Sequence, residues 1–195
     1  IVADISSNSV DILIEDAKIK GAIDACLGAM GIVQGPLDLE MLRDIDENGT
    51  SANGCFSHAG AIKIAGIDGK VANLKDELLK NYREGDEKAK LALDMYVDII
   101  NRFIAEYYVE LDGKVDAMVM TAGVLENGSE TREAILTKLE CLGIVLDKEM
   151  NDKIAGFKEI HEGCITTKES KVPVYVIPTN EEIMIIRDTY KIVCE

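Results

Sequence analysis

The stretch Val115–Arg132, VDAMVMTAGVLENGSETR, decides how the rest of the chain is read. Its opening run, Val115–Met120, carries one charge, Asp116, and otherwise suits a strand covered on both faces. Thr121-Ala122-Gly123 then turns the chain on small side chains, and Asn127 with Glu130 three residues later forms a capping-box variant that opens a helix. A strand that passes into a helix through small residues presents backbone N–H groups and a positive helix end at the edge of a sheet. That geometry accepts phosphate. The same residues also suit a plain turn, and a strand–glycine–helix step alone is a weak motif.

Upstream of this stretch, Asp86–Leu111 is the longest helix, with Ala92, Tyr96, Ile99, Ile100, Phe103, Ile104 and Tyr107 along one side. Lys70–Tyr82 is a second amphipathic helix, showing Val71, Leu74, Leu78 and Leu79 on its apolar face. Short helices are expected over Asp38–Ile45, with Asp38 as N-cap, and over Ser51–Ser57, while Ala61–Ala65 is ambiguous. Gly28, Gly31 and Gly35-Pro36 break regular structure before them. The chain begins with three strand-like runs, Ile1–Ile5, Val10–Glu15 and Lys18–Ala25. Ser6-Ser7-Asn8-Ser9 and Asp16-Ala17 join them into an antiparallel meander.

Downstream come a helix over Ser129–Leu142, a loop at Gly143 and a polar excursion from Gly156 to Lys171. Val172–Ile177 is a last buried strand and Asn180–Val193 a last helix, capped by Thr179 or Asn180. Three antiparallel strands followed by alternating helices and strands predict an α/β fold, a mixed five-stranded sheet flanked by helices. No linker or internal repeat divides the chain, so residues 1–195 form a single domain.

Composition narrows the partners. Net charge is −15, which repels nucleic acid and anionic membranes and sets both aside. The five cysteines (26, 55, 141, 164 and 194) include no CxxC pair and read as reduced thiols of a cytoplasmic protein, packed as small apolar residues. The sequons at Asn48 and Asn127 are then fortuitous. The opening run lacks Met, as in a trimmed or excised piece.

Three motifs in order, VDAMVMTAGVLENGSETRE, LGIVLDKEMN and ITTKESKVPVYVIPTNEEIMIIRDT, resemble the C-terminal half of the acetate kinase family. That family belongs to the superfamily of acetate and sugar kinases, heat-shock proteins and actin. The resemblance implies a ribonuclease-H-like, actin-like ATPase lobe. It implies that Gly123 to Asn127 contacts ATP or ADP, with Glu126 and Asn127 retained from the family pattern, and that Glu181 helps to hold Mg2+. It places Ser6, Ser7 and Asn8 in the phosphate loop. The complete enzyme would convert ATP and acetate to ADP and acetyl phosphate. The catalytic aspartate and carboxylate pocket of the family lie in a partner lobe absent from these residues, so no catalytic residue is assigned and the isolated chain is expected not to turn over. A complementing second lobe, or a homodimer through Asp86–Leu111, would cover the exposed face.

Residues 1–95 are more similar to the methanogenesis marker proteins of the same superfamily, and the two resemblances meet near Gly85–Met95, as in a chimera. Several positions depart from the acetate kinase pattern. Asp4-Ile5-Ser6-Ser7-Asn8 replaces a histidine-led, glycine-rich phosphate loop, and Lys70-Val71-Ala72 replaces a nucleotide-contacting motif. Leu125 stands for a glycine. Val33 stands where the family carries an arginine, and losing such a charge clamp costs about 10³-fold in phosphoryl transfer.

Each assignment has a structural alternative. Glu126 and Asn127 also cap helices, Glu181 and Glu182 also suit a first helical turn, and Ser6, Ser7 and Asn8 are turn formers. His58 and His161 lack partners at ligand spacing and read as surface or packed residues. Arg132 and Arg187 read as members of helix-surface ion pairs.

Overall fold

The computed structural model describes residues 1–36, 38–68, 73–156 and 158–194. The chain opens with the meander: β1 (Val2–Ile5), β2 (Ser9–Glu15) and β3 (Lys18–Ile23), paired antiparallel in sequence. Asp16 and Ala17 both adopt positive φ at the β2–β3 turn, the twist that a two-residue hairpin requires. β3 stops two residues early because Asp24 caps a 3-10 turn over Ala25–Leu27 by accepting from the Cys26 N–H.

The helices α1 (Leu39–Asn48), α2 (Ala52–Phe56), α3 (Ala61–Ala65) and α4 (Leu74–Arg83) lead into α5 (Glu87–Glu110). Asp38 caps α1 at the Met41 N–H, Ser51 caps α2 and Asp86 caps α5, each with a side-chain oxygen. The ambiguous segment 61–65 is helical. On α5, Tyr96, Ile100, Ile104 and Tyr107 follow helical spacing and are buried against β2, α3 and the neighbouring helices. The long helix therefore spends its apolar face inside the chain.

β4 (Met118–Thr121), α6 (Ala122–Asn127), α7 (Ser129–Lys138) and α8 (Lys148–Lys153) follow. Then come β5 (Gly163–Cys164), β6 (Val174–Val176) and α9 (Glu181–Cys194). The sheet order is β3-β2-β1-β4-β6-β5; β1, β4 and β6 run parallel and β5 is antiparallel to β6. The sheet thus has six strands where five were expected. The extra one, β5, is two residues long and lies in the polar excursion, where pairing with Val176 and Tyr175 creates it and no alternation announces it. No described helix is long and apolar enough to cross a membrane.

Candidate functional site

The three parallel strands release the chain on one side of the sheet. β1 ends into Ser6, β4 into Gly123, and β6 into the loop that reaches Glu181. Carboxyl ends of parallel strands are where open α/β sheets bind ligands. Here they open onto a groove built of three joined clefts. One, of about 370 Å3, is lined by Asp4, Ser6, Gly123, Thr179, Glu181 and Glu182. The next, of about 340 Å3, shares Ser6 and Gly123 and adds Ser7, Val33, Lys75 and Asp76. The third, of about 390 Å3, shares Lys75 and Asp76 and extends to Arg83, Asn127 and Glu130.

Local chemistry explains the shape. Ile32 donates to Ser6 O (3.2 Å), and Val33 and Gln34 donate to Ser7 O (3.1 and 3.0 Å), so the Gly31–Gly35 loop is stitched to the end of β1. A Cβ on Gly31 would stand 2.2 Å from Ser7 O, which is why only glycine fits there. β4 passes directly into α6 through Ala122, held at φ 64°. A non-glycine residue in that region is strained and persists because its surroundings fix it. Thr121 supplies part of that fixing by donating its hydroxyl to Ile177 O at 2.6 Å.

The structure brings Gly123, Glu126, Asn127, Ser6, Ser7 and Glu181 to this groove and its wall. Asn8 lines none of the three clefts, and its side-chain oxygen is buried without a partner among the described residues. Glu126 and Asn127 do not cap α7, whose start at Gly128 has no side-chain cap. They cross-link α6 instead. Glu126 Oε1 accepts from both the N–H and hydroxyl of Thr179, at 2.8 and 3.1 Å. Asn127 donates to Gly123 O and accepts from the Gly156 N–H, both at 3.0 Å. Glu130 meets Arg83 across α4 and α7. Asn180, not Thr179, caps α9 through the Ile183 N–H (3.1 Å).

Arg132 is the largest correction. It is 0% exposed and bonds to backbone carbonyls and Asn151 rather than to a surface acid. Arg187 contacts Met184 Sδ at 4.0 Å and forms no ion pair among the described residues. His58 and His161 are exposed and bond only to nearby carbonyls. The position of Lys70-Val71-Ala72 lies outside the described residues. Lys75, which sequence reasoning missed, faces two clefts from the first turn of α4; only the docking of α4 beside Gly123 reveals it.

The groove is negative at the end that holds Asp4, Glu181 and Glu182, and at the other end Lys75 and Arg83 are balanced by Asp76 and Glu130. Burial, and then the charges of Glu181 and Glu126, push the Asp4 carboxyl above its ordinary range. Among the described residues no three acidic, His or Cys side chains converge as a metal cage. A donor set of separated carboxylates suits Mg2+ that keeps its waters and shares phosphate oxygens, and such a cation would offset the charge that raises Asp4.

Residues 29–187 match the model of the acetokinase family. The chain is 53% identical over 124 residues to a UPF0285 protein of Methanothermobacter thermautotrophicus, covering 64% of this chain and 37% of that protein. It is 46% identical over 135 residues to the acetate kinase of Thermoanaerobacterium thermosaccharolyticum, covering 69% of this chain and 32% of that enzyme. The crystal structure of Porphyromonas gingivalis acetate kinase superposes with a TM-score of 0.79 at 30% identity, over 98% of this chain and 48% of that one. The chain therefore spans less than half the length of these relatives. With its α/β fold, its mixed sheet and this family match, the chain belongs to the acetokinase family.

Proposed function

We propose that the chain is the nucleotide-binding lobe of an acetate-kinase-like phosphotransferase, binding Mg-ATP and Mg-ADP in the groove. The observation that supports this is the convergence of Ser6, Gly123, Lys75 and Glu181 on one continuous groove at the carboxyl ends of β1, β4 and β6. Phosphates would lie across the Gly123 backbone and Ser6, with Lys75 as counter-charge. Asn127 borders the end that would receive the nucleoside. Mg2+, held by Glu181 together with phosphate oxygens, would neutralise charge on the transferring group.

In the complete enzyme a second lobe would close over this groove and supply the acetate pocket. Calorimetric titration of the chain with Mg-ADP, beside Lys75→Ala, tests the lobe's part. Binding in the range of about 10 µM to 1 mM, weakened at least about tenfold in the variant, is expected. No heat at millimolar Mg-ADP from a folded chain would overturn the reading.

A second reading is a composite lobe that folds and assembles without catalysis. Val33 and Asp4, which withhold a cation and add an anion beside the phosphate position, favour it for the isolated chain. Its partner, a second lobe or a second copy, would cover α9 rather than the spent face of α5. Acetate-dependent ADP formation by the chain alone would exclude it.

A further inference from the structure

Among the described residues, Arg132 is the largest side chain with no exposed surface, and no carboxylate pairs with it. Its fork is nevertheless filled. Nε donates to Asn151 Oδ1 (2.7 Å), Nη2 to Asn151 O (2.7 Å) and Ile154 O (2.8 Å), and Nη1 to Glu126 O (3.2 Å) and Leu125 O. A guanidinium has five N–H donors, and these contacts use all of them. Burial draws its pKa down to about 10, so it stays charged at neutral pH.

The acceptors share a position. Leu125 and Glu126 close α6, and Asn151 and Ile154 close α8. Carbonyls at a helix C-terminus have no partner within the helix and carry its partial negative charge. Arg132 serves as the missing cap for both helices at once. α6 needs it: the helix has six residues, too few to persist alone, and it begins at the strained Ala122. Asn151 extends the clamp by donating to Ser129 O at 2.9 Å.

We propose that Arg132 is the positioning residue of the groove, holding the C-terminal turn of α6 so that Gly123 and Asn127 face the bound nucleotide. This rests on the nucleotide reading above. A side chain that merely fills the core would, when lost, loosen the whole core. A positioning residue loosens α6 first.

The experiment uses the full chain with Arg132→Lys, Arg132→Gln and the milder Asn151→Ala, which leaves four of the five acceptors in place. Amide hydrogen exchange without ligand is expected to speed up at least about tenfold over Glu126–Gly128 and at Gly156, with Ile5 and Tyr96 unchanged, because local opening separates from global unfolding. Mg-ADP affinity falls in the same order, Arg132→Gln more than Arg132→Lys and both more than Asn151→Ala. Equal acceleration throughout the core, or wild-type exchange in α6, would overturn the proposal. If both Arg132 variants fail to fold, Asn151→Ala decides by the same two readouts. A wild-type chain that binds no Mg-ADP refutes the nucleotide reading itself, and with it the ligand half of this proposal, while exchange in α6 still decides the clamp.

Discussion

Thr179 gives both its backbone N–H and its hydroxyl to a single oxygen of Glu126, tying the loop before α9 to the short helix after β4. This bond pair holds two of the groove's walls at a fixed spacing. It also keeps a carboxylate near Asp4, whose raised pKa owes more to burial and to Glu181 than to Glu126.

Removing either neighbouring charge should therefore lower the Asp4 pKa, Glu181→Gln by more than Glu126→Gln. NMR titration of the Asp4 carboxyl carbon measures this. An Asp4 that titrates identically in both variants would show that burial alone sets its value. Mg2+ added to the wild-type chain should shift the same resonance downward in pKa.

Asp11 predicts how stability changes with pH. It is 0% exposed, both carboxylate oxygens lack hydrogen-bond partners among the described residues, and burial raises its pKa to about 8. Tyr96 and Tyr107 of α5 face it, and their phenols are pushed up mainly by burial. The folded chain therefore holds a proton that the unfolded chain loses near pH 4. This contribution is complete below that pH and is lost as pH rises towards 8, by up to about 1.4 kcal/mol for each pH unit. Asp11→Asn should flatten that slope and exceed the wild type in stability above pH 8. Urea unfolding from pH 5 to pH 9 reads both chains, and parallel curves would refute the assignment.

Two glycines should answer alanine with opposite signs. At Gly31 a Cβ would collide with Ser7 O and with Asn8 Cα at 2.7 Å, both backbone, so Gly31→Ala should destabilise by about 3 kcal/mol. At Gly123 the nearest atom is Ser6 Oγ at 3.7 Å, an ordinary contact, and the residue is helical. Gly123→Ala should stabilise the ligand-free chain by about 0.5 kcal/mol. It should also weaken Mg-ADP binding, since the new methyl occupies the cleft. Thermal unfolding with and without Mg-ADP separates the two effects.

The last helix stands outside the core. α9 buries no residue, and Ile185 and Ile192 are 65% and 84% exposed. Ile185→Asp should change unfolding free energy by no more than about 0.5 kcal/mol, whereas Ile100→Asp, inside α5, should abolish folding. A large loss from Ile185→Asp would mean that α9 docks on its own lobe.

Most of the scaffold was legible because its signals are local. The meander announces itself through short apolar runs and the Asp16-Ala17 turn, and α5 through the spacing of Tyr96, Ile100, Ile104 and Tyr107. Caps at Asp38 and Asn180 follow from a side chain one turn from a free N–H. What stayed hidden depends on distant chain. β2 buries Ser9 and Asp11 beside Leu13 and leaves Val10 and Ile12 half-covered, so alternation misassigns its inner face. Arg132 sits in a polar helix whose burial is set by α8 and the end of α6. The groove residues Ser6, Gly123 and Glu181 were found through a family pattern, while Lys75 required the packing of α4.

β1 precedes the other described strands in the sequence and lies in the middle of the sheet. Ile1 meets Ala117 across 116 positions of sequence, and Val2 pairs with Val119. As the chain leaves the ribosome, the hairpins can close as soon as Val2–Ile23 has emerged, but one edge of β1 stays bare until β4 has been synthesised. Bare edges invite pairing with other chains, and such distant closure is the slow part of folding. The groove lies on the β1–β4 seam, so it is completed late, after the meander and α5 can already have formed. Newly made chains should therefore gain protection at Val119 after they gain it at Ile12, an order that pulse-labelled hydrogen exchange can read.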